Sequence, residues 1–110
     1  MLAYLYYGNT HSVKLEDMLI EETSPIEYLD GDSVVTAVIY NSAGVAVDDG
    51  SVTLSYVSGS DGNFLGYLDS DADIEVDTRY TLRVTVTDSG KVGRWDIPAK
   101  CIYREGDFVI

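Results

Sequence analysis

Apolar and polar residues alternate with a period of two along five separate segments of the chain. This period fits β-strands, whose successive side chains point to opposite faces, and it does not fit a helix of 3.6 residues per turn. The segments are also rich in β-branched and aromatic residues, which favour strands. They are Ser33–Tyr40, Ser51–Val57, Asn63–Asp69, Tyr80–Thr87 and Arg94–Arg104.

Clusters of turn-forming residues separate these segments, at Asn41–Gly44, Asp48–Gly50, Ser58–Gly62 and Asp88–Gly90. Strands at this spacing predict an all-β fold, a β-sandwich of about seven antiparallel strands. A length of 110 residues predicts one domain over 1–110. We expect its core from about 13 to 104 and an apolar tail at 105–110. Segment 12–23 is compatible with a helix or a strand, and we predict a strand.

The same alternation assigns side chains to the core. The expected inward-facing residues are Val35, Ala37, Ile39, Val52, Leu54, Tyr56, Phe64, Leu68, Tyr80, Leu82, Val84, Val86, Trp95, Ile97 and Cys101. Gly66 is expected to leave room for a neighbouring ring, and Pro98, which lacks an N–H, to lie at an edge or a bulge. Tyr80 follows a turn and resembles the tyrosine corner of immunoglobulin-like domains, although a simply buried tyrosine would fit as well.

Charge and hydropathy exclude some classes of partner. The chain has 19 acidic and 7 basic residues and a net charge of −12. Phosphate backbones would repel such a chain, so we predict no nucleic-acid partner. It has no apolar run of 18 residues, so we predict no membrane span. Its first residues lack the basic region and cleavage site of a signal peptide, so we expect synthesis and folding in the cytoplasm.

A metal site is one hypothesis for the acidic segment. Carboxylates occupy every second position, at Asp69, Asp71, Asp73, Glu75 and Asp77. Asp69, Asp71 and Asp73 could supply three oxygens to calcium, and we predict no other cofactor. An EF-hand is excluded, because Ile74 and Tyr80 replace its required glycine and glutamate. We favour the alternative that the five acids form the solvated face of an edge.

The motifs of common enzyme classes are missing. The only histidine, His11, lies in a polar segment where we expect it to be exposed. The only cysteine, Cys101, has inward parity and cannot form an intramolecular disulfide. No nucleotide-binding glycine motif occurs. We therefore predict a non-enzymatic protein, with a hydrolase that uses two carboxylates as the alternative.

Three groups of residues are candidates for an interface. Tyr4, Tyr6 and Tyr7 crowd the first strand, where they form either a subunit contact or cross-strand pairs. Residues 1–77 carry a net charge of −14 and residues 78–110 a net charge of +2. The outward bases Arg83, Arg94 and Lys100 therefore either form a strip for head-to-tail contacts or neutralise nearby acids. Phe108 and Ile110 form an apolar end that could add a strand to a partner's sheet.

Part of the chain resembles a known class of phage proteins. The resemblance rests on three elements: the hairpin Gly59-Ser-Asp-Gly62 with Phe64, the strand that starts at Tyr80, and the last strand from Trp95 to Arg104. Together they resemble small immunoglobulin-like proteins encoded in the structural gene clusters of tailed phages and prophages. The pattern is also similar to bacterial macroglobulin-like and adhesin-like modules.

The phage resemblance implies an immunoglobulin-like β-sandwich that is a virion structural or accessory module without catalytic residues. Its partners would be other virion proteins or copies of itself, which includes a homo-oligomer, and it would move from the host cytoplasm into the virion. A second hypothesis is a module that binds glycans or cell surfaces, with calcium as a cofactor. Its candidate residues are Tyr67, Trp95 and the acidic loop Asp69–Asp77.

Overall fold

A computed structural model describes residues 2–8, 11–16, 18–21, 27–28, 33–60, 62–69, 71–88 and 91–103. These residues form nine β-strands and contain no helix, so they contain none long and apolar enough to cross a membrane. The predicted all-β class is confirmed. The strands are β1 (Leu2–Tyr7), β2 (Ser12–Glu16), β3 (Leu19–Glu21), β4 (Glu27–Tyr28), β5 (Val34–Tyr40), β6 (Ala46–Tyr56), β7 (Phe64–Tyr67), β8 (Arg79–Asp88) and β9 (Lys91–Tyr103).

Seven strands close into a barrel in the order β1-β2-β7-β6-β5-β8-β9, while β3 and β4 form a separate small sheet. Within segment 12–23 the strand prediction is confirmed by β2 and β3; residues 17, 22 and 23 lie outside the described residues. All neighbouring strands are antiparallel except β1 and β9, which run parallel, with Leu5 opposite Cys101. The expectation of seven antiparallel strands therefore holds for the number of strands in the barrel but not for the direction of this pair.

The barrel closes because its two longest strands each pair with different neighbours along their length. In β6, Val52 lies opposite Ala37 of β5, whereas Tyr56 lies opposite Phe64 of β7. In β9, the segment 91–100 pairs with β8 and the segment 101–103 pairs with β1. The sandwich prediction implied two separate open sheets. Instead, β6 and β9 each pair with two different strands, so that the hydrogen-bonded pairing continues around the whole barrel.

The predicted turn at Asp48–Gly50 is wrong, because these residues lie within β6. The pairing of β5 with β6 shifts register between Val38 and Tyr40, and Asp49 has a φ of 56°. Between these two pairs β5 has only Ile39, whereas β6 has the four residues 47–50, and such an excess of residues in one strand is typical of a large β-bulge. The strand therefore bends at this point instead of ending.

The core contains the side chains that alternation assigned to it. Along β8, Tyr80, Leu82, Val84 and Val86 are all buried. Tyr56, Trp95 and Ile97 are only partly buried and pack against the edge of this core. Pro98 is exposed. Among the described residues, this part of β9 pairs only with β8, so its other side is an edge, as predicted for a residue without an N–H.

Gly66 has a different role from the one expected. A Cβ atom there would lie 2.7 Å from Cγ2 of Val52, 3.0 Å from the carbonyl oxygen of Thr53 and 3.2 Å from Cγ of Leu54. The glycine therefore makes room for the aliphatic side chains and the backbone of β6, not for an aromatic ring. The absence of a side chain at Gly66 therefore allows β7 to lie close to its antiparallel neighbour β6.

The Tyr80 hydroxyl accepts a hydrogen bond of 2.8 Å from the backbone N–H of Glu75, five residues upstream. This is the contact that a tyrosine corner requires, and the ring is buried as well. It holds the acidic loop against the start of β8. The loop is also anchored to β6, because the Asp73 N–H donates to the carbonyl oxygen of Asp48 at 3.0 Å.

Candidate binding surface

The three N-terminal tyrosines do not form one patch. Tyr4 and Tyr6 lie on the outer face of β1, and their rings stack 6.0 Å apart with an interplanar angle of 7°. Tyr7 points to the other side, where its ring lies 4.4 Å from His11 and meets Tyr103 edge-on at 5.9 Å. Alternation along the strand divides the group, since neighbouring residues face opposite ways.

Tyr6 instead lines a concavity on the outer face of four neighbouring strands, β9, β1, β2 and β7. The concavity has a volume of about 360 Å³. Its lining residues are Tyr6, Ser12, Lys14, Leu65, Tyr67, Ile102 and Tyr103, and we call it the tyrosine concavity.

Strand register explains why these residues meet. Tyr6 lies opposite Ile102 of β9 on one side and opposite Ser12 of β2 on the other. Ser12 in turn lies opposite Tyr67 of β7. A row of side chains thus crosses four strands, and a second row begins where Lys14 lies opposite Leu65.

The walls of the concavity expose large apolar side chains to solvent. Tyr67 is 59% exposed, Tyr103 51% and Ile102 40%. Contiguous exposed apolar surface is uncommon on monomeric proteins and marks sites of interaction. Tyrosine is also enriched at protein interfaces, because its ring is apolar and its hydroxyl can form hydrogen bonds.

Two polar groups lie among these apolar side chains. The Lys14 ammonium is 3.2 Å from the carboxylate of Glu16, so its charge is compensated within β2. Ser12 is only 1% exposed, and its Oγ has no hydrogen-bond partner within the described part of the chain. Leaving a buried hydroxyl unpaired costs about 1–3 kcal/mol. The concavity therefore contains a hydrogen-bonding group that the described residues leave unused.

Two of the three candidate interface bases are paired within the fold. The Arg83 Nε–H donates to Asp96 at 3.1 Å, and its guanidinium also lies 4.6 Å above the ring of Tyr40. The hydrogen bond to Asp96 raises the pKa of Arg83 above its ordinary value. Lys100 lies 3.8 Å from Asp77. These contacts favour the alternative in which the bases neutralise nearby acids.

The remaining interface candidates differ in how they are placed. Arg94 is exposed on β9, opposite Thr85. Phe108 and Ile110 lie outside the described residues. Trp95 packs against the core, whereas Tyr67 faces outward, so the two aromatic candidates for a glycan site do not share a surface.

The acidic loop presents its carboxylates to solvent. Asp69, Asp71, Asp73, Glu75 and Asp77 are all exposed, whereas Ala72 and Ile74 between them are buried. The Asp71 N–H donates to Oδ1 of Asp69 at 2.9 Å. Among the residues that the structure describes, no three acidic, histidine or cysteine side chains form a group that could hold a metal ion. Calcium binding at Asp69, Asp71 and Asp73 therefore stays a prediction without geometrical support.

The expectation that His11 is exposed is wrong. His11 is 5% exposed, and its backbone carbonyl accepts the N–H of Leu68 at 2.8 Å. Its Nδ1 lies 3.4 Å from the N–H of Gly8, which donates to it. The polar residues around His11 in the sequence suggested a surface turn, but the ring packs against that of Tyr7 and is buried.

Comparisons with models of protein families, with curated proteins and with solved structures find no match for this chain.

The thiol of Cys101 is expected to be unreactive in the folded chain. The side chain is fully buried, and burial together with the nearby charge of Asp77 raises the pKa of its thiol to about 11. We expect the folded chain to resist iodoacetamide at pH 8 and the chain in urea to be alkylated readily, because only the thiolate reacts. Mass spectrometry measures the difference, and equal rates in both states would contradict it.

The same pKa sets a pH dependence of stability. The folded pKa lies above the 9.0 of a free thiol. This contribution to stability is therefore complete below pH 9 and decreases as the pH rises towards 11. Cys101→Ala is expected to flatten that part of the stability profile, measured by urea unfolding at each pH.

Proposed function

We propose that the chain is a non-enzymatic module of a phage or prophage virion that acts through protein–protein contacts in a head, neck or tail assembly. The observation that carries the proposal is the tyrosine concavity, whose lining includes the exposed side chains of Tyr67, Tyr103 and Ile102. The resemblance of the hairpin, the Tyr80 strand and the Trp95 strand to phage structural proteins supports the setting. The chain would fold in the host cytoplasm and then join the particle.

The proposal includes an immunoglobulin-like sandwich, with the barrel flattened into two sheets that β6 and β9 join at corners. Strands that change sheets in this way make the corners of packed sheets. The molecule measures 46 × 31 × 19 Å, and its shortest dimension fits two sheets packed about 10 Å apart with their side chains. The hydrogen bond between Tyr80 and Glu75 also supports this assignment.

The test compares two variants of the purified full-length chain. Tyr67→Ser removes an exposed ring from the concavity, and Val92→Ser is the control, because Val92 is 70% exposed but does not line the concavity. The measurements are static light scattering and pull-down against dissociated virion proteins of the phage or prophage that encodes the chain. We expect Tyr67→Ser to weaken capture at least about tenfold, as for an interface anchor, and Val92→Ser to leave it unchanged. A wild-type chain that stays monomeric and binds no virion component would overturn the proposal.

A second candidate function is glycan binding in the same concavity. Its aromatic walls, with a buried hydroxyl among them, are typical of small-molecule sites, which combine apolar walls with few polar groups. Thermal unfolding in the presence of sugars, with and without calcium, separates this candidate from the first. A shift with one sugar that Tyr67→Ser abolishes would favour glycan binding, and no shift under any condition would exclude it. A shift with calcium alone would instead support a site at Asp69, Asp71 and Asp73.

A further inference from the structure

We infer that the tyrosine concavity takes one aromatic anchor side chain with a hydrogen-bonding tip, presented by a basic segment of another protein. The inference rests on the proposed function and names the chemistry of the partner. Three features carry it: the size of the concavity, the Ser12 hydroxyl that has no partner among the described residues, and the acidic loop that follows Tyr67.

Size limits the occupant to one anchor. A volume of about 360 Å³ lies at the lower end of the range of roughly 300–1,000 Å³ that holds small molecules. It suits one large side chain better than an extended peptide. Tyr6, Tyr67 and Tyr103 offer ring faces and edges, against which an aromatic ring packs favourably. Protein interfaces concentrate their binding energy in such anchors, which insert into a pocket near the centre.

Ser12 indicates that the anchor carries a polar tip. Its Oγ is buried and lacks a partner among the described residues. The neighbouring Tyr67 side chain is exposed, so it can change rotamer and give an entering group access to Oγ. A hydroxyl or amide at the tip of the anchor would then form the missing hydrogen bond. An aliphatic anchor would leave Oγ unpaired and bind more weakly.

Charge indicates that the partner is basic. Residues 1–77 contain fifteen acids and a single base, Lys14, which already pairs with Glu16. Asp69 lies two residues after Tyr67, which is exposed on the wall, and it begins the row of exposed carboxylates in the acidic loop. Lysine or arginine residues that flank the anchor would therefore be attracted. A second copy of the chain is disfavoured, since each copy carries a net charge of −12.

The test uses short synthetic peptides as defined probes, titrated into the ¹⁵N-labelled full-length chain and followed by NMR. One peptide has a central tyrosine flanked by lysines, the second has alanine in the central position, and the third keeps tyrosine but has glutamate flanks. We expect only the first to shift the amide signals of Ser12, Lys14, Leu65 and Tyr67. Its affinity should fall at least about threefold when the salt concentration rises to about 0.15 M, where charges are screened beyond about 8 Å.

A matched pair of variants tests the hydrogen bond. Ser12→Ala and Ser33→Ala each remove a buried hydroxyl that has no partner among the described residues, but only Ser12 lines the concavity. Neither should destabilise the free chain, because neither hydroxyl forms a hydrogen bond within the described part of the chain. We expect Ser12→Ala to weaken binding of the tyrosine peptide about 3–10-fold and Ser33→Ala to leave it unchanged. If Ser12 served only the stability of the fold, the two variants would bind the peptide equally.

The outcomes separate this inference from the proposed function. Equal binding of the tyrosine and alanine peptides, or amide shifts confined to the acidic loop, would overturn the inference that the concavity binds an aromatic anchor. Equal binding with lysine and glutamate flanks would overturn the basic partner. Capture of a virion protein that depends on Tyr67 but not on salt or Ser12 would overturn the inference and leave the proposed function intact. The same signals shifting with a neutral oligosaccharide instead of the peptides would replace both with glycan binding.

Discussion

Replacing Gly62 by alanine is expected to lower the free energy of unfolding by roughly 2–5 kcal/mol, the sum of a backbone cost and a steric cost. Gly62 has a φ of +74°, where an L-residue is strained. A Cβ atom would also overlap the backbone carbonyl oxygen of Met18 and lie 2.8 Å from its nitrogen. The Met18 N–H donates to the carbonyl oxygen of Gly62 at 3.0 Å, so neither backbone can move away without losing this bond.

Gly59 in the same hairpin provides the matched control. Its φ is +80°, but a Cβ atom there would meet nothing within 4 Å. Gly59→Ala should therefore show the backbone cost alone, about 1–2 kcal/mol. Urea unfolding followed by the fluorescence of Trp95 measures both variants. Equal losses would contradict the close contact between the hairpin and Met18.

The second large effect is expected at Phe64, whose removal should cost about 3–5 kcal/mol in Phe64→Ala. The side chain is fully buried, and its ring lies 5.5 Å from the ring of Tyr56. Phe64 lies opposite both Leu15 of β2 and Tyr56 of β6, so it packs at the corner where β7 connects them. An alanine there would leave a cavity in the part of the barrel with the shortest strand pairing.

Two other variants define this effect. Phe64→Leu keeps most of the buried apolar volume and should cost only about 1–2 kcal/mol. Tyr67→Ser changes the outward face of the same strand, where the side chain is 59% exposed, and should alter stability by less than about 0.5 kcal/mol. Thermal unfolding with circular dichroism ranks the three. A loss at Tyr67 as large as that at Phe64 would mean that the outer ring serves stability and not binding.

These effects also determine how binding data are interpreted. β7 carries both Phe64 in the core and Tyr67 on the wall of the concavity. A variant that disturbs the barrel at Phe64 would weaken binding indirectly, through the position of the strand. Binding measurements therefore need Tyr67→Ser and Ser12→Ala, which replace a side chain that lines the concavity and leave the apolar core side chains in place.

Several features of the fold follow from local sequence. The alternation in β8 predicted that Tyr80, Leu82, Val84 and Val86 face inward, because the direction of a side chain in a strand depends only on parity. The turn at Asn41–Gly44 was predictable for a similar reason. The Asn41 side chain accepts the N–H groups of Ala43 at 2.9 Å and of Val45 at 3.0 Å, so the turn is stabilised by residues within four positions.

The candidate site could be predicted only in part. Tyr6 and Tyr67 were singled out as aromatic residues, but nothing in the local sequence connects them with Ser12 or Ile102. The burial of His11 was missed as well, because the polar residues around it suggested an exposed turn, whereas the chain folds the ring against Tyr7. A run of outward-facing apolar residues, such as Leu65 and Tyr67 in β7, was the one available signal for the concavity.

The sequence by itself determined the strand class, most turns and the inward faces, since these depend on the period and chemistry of neighbouring residues. Only the tertiary structure decided that β6 and β9 change partners, that β1 runs parallel to β9, and that Arg83 pairs with Asp96. It also decided which residues form the tyrosine concavity. The register between strands far apart in the chain is set by which buried faces pack together in the folded molecule, and no local pattern contains that information.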